Sequence, residues 1–81
     1  MMKKPGKTRV RSVILNGRKS SVSLEDEFWR ALKDISRVRG ISLQELVSRL
    51  DRSRTNINLS SVLRVFVLNV YLGKDGASES N

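Results

Sequence analysis

The stretch that decides the fold covers residues 18–47 and reads RKSSVSLEDEFWRALKDISRVRGISLQELV. Its first residues alternate between a largely apolar phase, Ser20, Val22 and Leu24, and a polar phase, Lys19, Ser21 and Ser23. This two-residue period predicts a strand with one apolar face and one polar face. The residues that follow Leu24 change to a helical period, so the stretch predicts a strand that leads directly into helices.

The first predicted helix runs from Glu25 to about Arg39. Its apolar residues recur on one face, at Phe28, Ala31, Leu32, Ile35 and Val38. Acidic residues in its first turn and basic residues in its last turn suit the helix dipole, and Gly40 is a suitable C′ residue. Trp29 lies off this stripe, and packing against another helix or a partner chain is the favoured interpretation for it.

Two more helices are predicted downstream. Ser42 and Glu45 have capping-box spacing ahead of an apolar stripe at Leu43, Leu46, Val47 and Leu50. A polar loop near residues 53–58 separates this helix from a third one, Leu59 to Leu72, which Asn58 caps and Gly73 ends. The β-branched residues of this last segment leave a strand open as an alternative. As a helix it is apolar on two faces, and we expect both faces to be buried.

Upstream of the deciding stretch, residues 10–15 also alternate and are followed by Asn16-Gly17. This dipeptide is preferred in the two-residue type I′ turn of a β-hairpin. Residues 10–15 therefore form either a first strand or an ordered arm. Ser23 has two interpretations as well, because Ser23-Leu24-Glu25-Asp26 resembles a capping box and Ser23 could cap the first helix.

The composition excludes several classes of function. The chain has 81 residues, no cysteine and no histidine, so we expect no metal site, no cofactor and no enzymatic activity of the Ser–His or Cys–His kind. The most apolar segment, residues 62–72, is too short for a membrane span, which needs roughly 20 residues. No apolar core of signal-peptide length follows the basic start, and we expect a cytoplasmic, nucleoid-associated protein.

The charge is uneven along the chain. The net charge is +8, and seven of the 16 basic residues precede residue 20, where there is no acidic residue. Such a basic segment suggests an anionic partner such as nucleic acid. We divide the chain into a disordered basic arm at 1–9, a folded domain at 10–72 and a disordered tail at 73–81.

The order of these motifs resembles the ribbon-helix-helix family typified by the Arc and Met repressors. The strand, the Leu24-to-Trp29 run, the Gly40-Ile41-Ser42 turn and the later Leu59-to-Leu68 segment all fit a bacterial subgroup with an extra C-terminal helix. The resemblance implies an α+β, mainly helical fold. It also implies an intertwined homodimer, in which two chains pair their strands into one antiparallel ribbon.

The resemblance also implies roles for individual residues. The outward strand residues that would contact bases are Lys19, Ser21 and Ser23, and the start of the second helix, Ser42 and Leu43, would hold a DNA phosphate. Charge alone adds further phosphate contacts, at Lys3, Lys4, Lys7, Arg9, Arg11 and Arg18. The expected dimer core is Val22, Leu24, Phe28, Leu32, Ile35, Leu46, Leu50, Leu63, Phe66, Val67 and Val70.

The leading hypothesis from the sequence is a dimeric, sequence-specific binder of double-stranded DNA that regulates transcription, most simply as a repressor. Its partners would be DNA and a second copy of the chain, with no membrane and no metal. The alternative is a protein-interaction module, antitoxin-like or an adaptor, that docks a partner protein through its helices. The nine residues after Leu72 contain no apolar docking segment, which argues against the antitoxin role.

Overall fold

The computed structural model describes residues 8–55 and 57–73, which form an antiparallel two-stranded hairpin followed by three helices. The strands are β1, Thr8–Leu15, and β2, Arg18–Glu25. The helices are α1, Asp26–Arg39, α2, Leu43–Ser53, and α3, Leu59–Tyr71. The predicted α+β, mainly helical fold is confirmed. The segment after Asn58, for which a strand was the alternative, is a helix.

The hairpin turns at Asn16 and Gly17, whose φ angles of 55° and 76° are both positive, as a type I′ turn requires. The two strands pair along their whole length, from Thr8 opposite Glu25 to Leu15 opposite Arg18. The segment before the turn is therefore a strand, and it begins at Thr8, two residues ahead of the expected boundary. Residues 1–7 and 74–81, which hold most of the expected arm and tail, lie outside the described residues.

The hairpin adds β1 to the ribbon that β2 was expected to form. The resemblance implied that β2 pairs with the same strand of a second chain. In the structure, every residue of β2 has a partner on β1 of its own chain. One chain therefore forms a complete two-stranded ribbon, and one edge of β2 is already occupied.

The helix ends follow the sequence signals. Ser42 Oγ accepts a hydrogen bond from the Glu45 N–H at 3.0 Å, which caps α2 as predicted. Asn58 Oδ1 accepts from the Ser60 N–H at 2.9 Å and caps α3. Gly40 ends α1 with a φ of 74°, in the left-handed region that favours glycine.

The core lies between the inner face of the hairpin and the three helices. Opposed residues of an antiparallel pair share a face, and the buried residues of the hairpin are Val13, Leu15, Val22 and Leu24. Ser20 is a polar residue in the otherwise apolar phase of β2, and it is partly buried. Val13, directly opposite Ser20 and buried, supplies the apolar side chain there.

The buried face of α1 is rotated from the predicted stripe. Val38 was expected on that stripe, but it is 84% exposed, and Trp29 is only 1% exposed. These two residues are nine positions apart, which places them on opposite sides of an α-helix. The Trp29 indole N–H donates to the Arg9 carbonyl at 2.9 Å, so the hairpin covers this side of α1 and leaves the Val38 side open. Trp29 thus packs within its own chain, against a strand.

Most of the expected dimer core is buried inside one chain. Eight of those residues are buried and three are partly buried against them, namely Phe28, Leu50 and Val70. By contrast, the second apolar face of α3 is not covered, since Val65, Leu68 and Leu72 are all exposed. The expectation that both faces of α3 are buried is therefore not met by a single chain.

Candidate nucleic-acid interface

The outer face of the hairpin carries the three residues predicted to contact bases. Lys19, Ser21 and Ser23 are all exposed and occupy alternate positions of β2. Their partners on β1, which share the same face, are Ile14, Ser12 and Val10. The face therefore offers an ammonium donor and three hydroxyl groups that can donate or accept, beside two apolar side chains.

The capping alternative for Ser23 is not what the structure shows. The N-cap of α1 is Glu25, and no side-chain hydrogen bond caps this helix. Ser23 lies two residues upstream, on the strand. Its carbonyl accepts a hydrogen bond from Ser60 Oγ at 2.8 Å, which attaches β2 to the start of α3.

The edge of β1 is held by a side chain that the sequence did not single out. Ile14 N–H donates to Gln44 Oε1 at 2.8 Å, and Gln44 Nε2 donates back to the Ile14 carbonyl. The amide of Gln44 thus pairs with this edge as a neighbouring strand would. A glutamine in the first turn of a helix carries no sequence signal for this role, because only the packing of α2 beside β1 creates it.

The predicted phosphate clamp is at the start of α2. The first intrahelical bond is donated by Leu46 to the Ser42 carbonyl, so the Leu43 N–H precedes the helical hydrogen-bond ladder, where anions bind. Gln44 follows immediately and bonds to Ile14. Gln44 therefore connects the predicted phosphate clamp to strand β1.

Three basic residues of α1 surround the same helix start, and sequence reasoning missed them. Arg30, Lys33 and Arg37 line a surface depression together with Asp34, Ser42 and Leu43. Their i, i+3, i+7 spacing places them on one side of α1, and this spacing is the signal that could have identified them. Two of the three also form ion pairs on α1, Arg30 with Asp26 at 3.7 Å and Arg37 with Asp34 at 3.0 Å.

The other predicted phosphate contacts are dispersed. Arg18 is exposed beside the turn, opposite Leu15, and Arg9 and Arg11 are also exposed although they occupy the inward phase of β1. Arg9 forms an ion pair with Asp26 at 3.1 Å, and the Arg11 guanidinium lies 5.4 Å from the centre of the Trp29 ring. These two residues therefore have partners at the hairpin–α1 contact. Lys3, Lys4 and Lys7 lie outside the described residues.

A partly exposed ion pair joins the end of β2 to α3. Arg64 on α3 donates to both carboxylate oxygens of Glu25, at 2.9 and 3.3 Å. This hydrogen bonding lowers the pKa of Glu25 below its ordinary value of 4.5. With the Ser60 bond to Ser23, it attaches the end of the ribbon to α3 at two points.

The residues that the structure describes contain no group of acidic side chains that could hold a metal ion. Among the same residues, no helix has the length and apolar character of a membrane span.

The sequence model of one protein family, described as the ribbon-helix-helix domain, matches residues 8–71, more than half of the chain. The chain belongs to the ribbon-helix-helix family. The match extends through α3, so the extra C-terminal helix is part of it. No curated protein and no solved structure matches the chain significantly.

Ribbon-helix-helix proteins are typically DNA-binding transcriptional regulators and generally bind DNA as dimers. Their fold is a non-enzymatic one.

Proposed function

We propose that this ribbon-helix-helix protein binds specific sequences of double-stranded DNA as a homodimer and regulates transcription, as a repressor in the bacterial cytoplasm, on the nucleoid. The observation that carries the proposal is the polar outer face of the hairpin, where Lys19, Ser21 and Ser23 project from a strand whose other face is buried. An exposed ribbon of two strands fits the major groove, which is about 12 Å wide.

The chemistry of this face suits base edges. Lysine donates to the O6 and N7 acceptors of guanine, and a serine hydroxyl can meet either a donor or an acceptor. The serine side chains are short enough for the backbone to approach the bases. The hydrogen bonds of Gln44 and Ser60 hold the two edges of the ribbon, which would limit the ordering cost of binding.

Phosphate contacts would position the ribbon. We assign them to the Ser42–Leu43 helix start, to Arg18 and to the basic arm that includes Lys3, Lys4 and Lys7. Arg30, Lys33 and Arg37 would add positive potential around the helix start. Arg9 and Arg11 would add to the positive electrostatic potential of the hairpin without direct phosphate contacts, because both side chains already contact α1.

The homodimer is supported by family membership and by the uncovered apolar residues. Val38 on α1 and Leu68 and Tyr71 on α3 are exposed, and they flank grooves between these two helices. Because each chain closes its own hairpin and core, we assign the contact between chains to this α1–α3 surface. A second copy would cover it with the same apolar residues, as a twofold contact requires.

The test is a gel-shift measurement with Lys19→Ala combined with Ser21→Ala, at fixed salt, on a duplex selected from a random pool by the wild-type protein. Losing a base-contacting pair should weaken specific binding by about tenfold or more, while nonspecific binding falls much less. The matched control is Ser48→Ala with Arg52→Ala, which removes a hydroxyl and one positive charge from α2. Equal affinities of the two double variants would refute the assignment of Lys19 and Ser21.

The mass of the free protein in solution tests the dimer separately. We expect sedimentation at twice the chain mass of 9.2 kDa. A monomer would leave the α1–α3 surface open and would favour the alternative, a protein-interaction module that docks a different protein there. A stoichiometric protein partner whose binding is abolished by Leu68→Lys would then support that alternative.

A further inference from the structure

Two apolar residues on the outer face of the hairpin are not explained by the folding of the chain. Val10 is 65% exposed and Ile14 is 47% exposed, and both belong to the outward phase of β1. The inner face already has its apolar residues, Val13 and Leu15. Single exposed apolar residues are common on protein surfaces, but these two flank Ser12 on the same face as the three predicted base contacts.

Their positions on the ribbon form a pattern. Val10 lies opposite Ser23, Ser12 opposite Ser21 and Ile14 opposite Lys19. Each end of the face therefore pairs one apolar residue with one polar residue, and the centre pairs two hydroxyls. Val10 and Ile14 are four residues apart on a strand, or about 13 Å, which is close to four base steps along a DNA strand.

Both residues lie next to points where the structure anchors β1. The Ile14 backbone is paired at both its N–H and its carbonyl with the amide of Gln44. The residue before Val10, Arg9, accepts the indole N–H of Trp29 through its carbonyl. These contacts fix the backbone at each end of the apolar pair, which is what a contact of defined geometry needs.

The major groove contains one apolar group, the 5-methyl group of thymine, and apolar side chains are its usual protein contacts. We propose that Val10 and Ile14 are specificity-determining residues that contact thymine methyl groups, so that β1 reads DNA alongside β2. The inference rests on the proposed DNA binding. It assigns each chain six outward residues instead of three, and it predicts sites with thymines about four base pairs apart under each hairpin.

The experiment removes the methyl groups from the DNA. A duplex selected by the wild-type protein from a random pool is resynthesised with deoxyuridine in place of thymidine, one position at a time, which keeps base pairing and deletes only the methyl group. At two positions per hairpin, wild-type affinity should fall roughly fourfold for each methyl group lost. Val10→Ala should be insensitive to deoxyuridine at one of these positions, and Ile14→Ala at the other.

The outcomes separate this inference from the proposed function. If the wild-type protein binds the thymidine and deoxyuridine duplexes equally while Lys19→Ala with Ser21→Ala still loses affinity, DNA binding stands and the role of Val10 and Ile14 is overturned. If no sequence is enriched from the pool, the proposed function fails and this inference fails with it. The deoxyuridine substitutions do not touch the protein, so they remain informative even if an alanine variant were to unfold.

Discussion

The two faces of the hairpin are built from the same two strands, yet they differ in almost every physical respect. The inner face holds Val13, Leu15, Val22 and Leu24, all buried, with Leu24 fully excluded from solvent. The outer face holds hydroxyls, an ammonium group and two apolar side chains, all exposed. The backbone is shared, so any property that differs between the faces comes from the side chains alone.

This difference shows how the chain separates stability from recognition. A shift of one residue in the register would exchange the two faces completely. The Asn16-Gly17 turn and the buried residues of the inner face fix the register, and they do so without help from the outer residues. The outer face can therefore vary in sequence without a large effect on folding, which is the condition for a surface that selects a ligand.

The sharpest test of this comparison is a pair of neighbouring substitutions on β2. Leu24→Ala should lower the free energy of unfolding by about 2–5 kcal/mol, because it removes a buried side chain and leaves a cavity. Ser23→Ala, one residue away on the outer face, should change it by less than about 0.5 kcal/mol. The Ser23 bond to Ser60 is made by the carbonyl and survives the change. Urea unfolding of both variants provides the measurement, and similar losses would contradict the separation.

Much of this architecture could be predicted from the sequence because its signals are local. The period of β2, the Ser42 cap, the Asn58 cap and the glycine at the end of α1 are each decided by a few neighbouring residues. The structure confirms all of them within one or two residues. The Asn16-Gly17 turn was equally clear, although the sequence left open whether residues 10–15 paired with β2.

The contacts that could not be predicted join residues far apart in the chain. Gln44 bonds to Ile14, Ser60 to Ser23 and Arg64 to Glu25 across 30 to 39 residues, and only the packed fold brings them together. Trp29 was placed off the stripe of α1 because the sequence does not say that a hairpin covers that side. For the candidate site, the alternating pattern identified the outer residues of β2. Identifying their neighbours on β1 required the strand register, which only the structure gives.

A substitution of Trp29 should have an intermediate effect on stability, because this residue of α1 packs against the hairpin. Trp29→Phe should destabilise the fold by about 1–2 kcal/mol, because it removes the hydrogen bond to the Arg9 carbonyl and part of a buried ring. Tyr71→Phe, at an exposed aromatic residue of α3, is the matched control and should have little effect on an isolated chain. Hydrogen exchange should show the loss of protection concentrated in β1, and a uniform loss would show that the contact is not specific to the hairpin.

The smallest expected effect concerns pH and the attachment of β2 to α3. The hydrogen bonds from Arg64 lower the pKa of Glu25, so the stabilisation by this carboxylate is complete above about pH 4.5, the ordinary pKa, and is lost as the pH falls through the lower pKa of the folded state. Glu25→Gln should therefore be less stable than wild type at pH 7 and should lose less stability on acidification, with the two curves converging in acid.

A second carboxylate provides the control for that measurement. Arg49 lowers the pKa of Glu45 in the same way, but both residues belong to α2. Glu45→Gln should flatten the pH dependence of unfolding in the same direction while leaving amide exchange at the end of β2 unchanged. Glu25→Gln should speed exchange there, because Glu25 is the carboxylate that joins the hairpin to α3. If both variants altered β2 equally, the ion pair with Arg64 would be stabilising the whole domain and not positioning the ribbon.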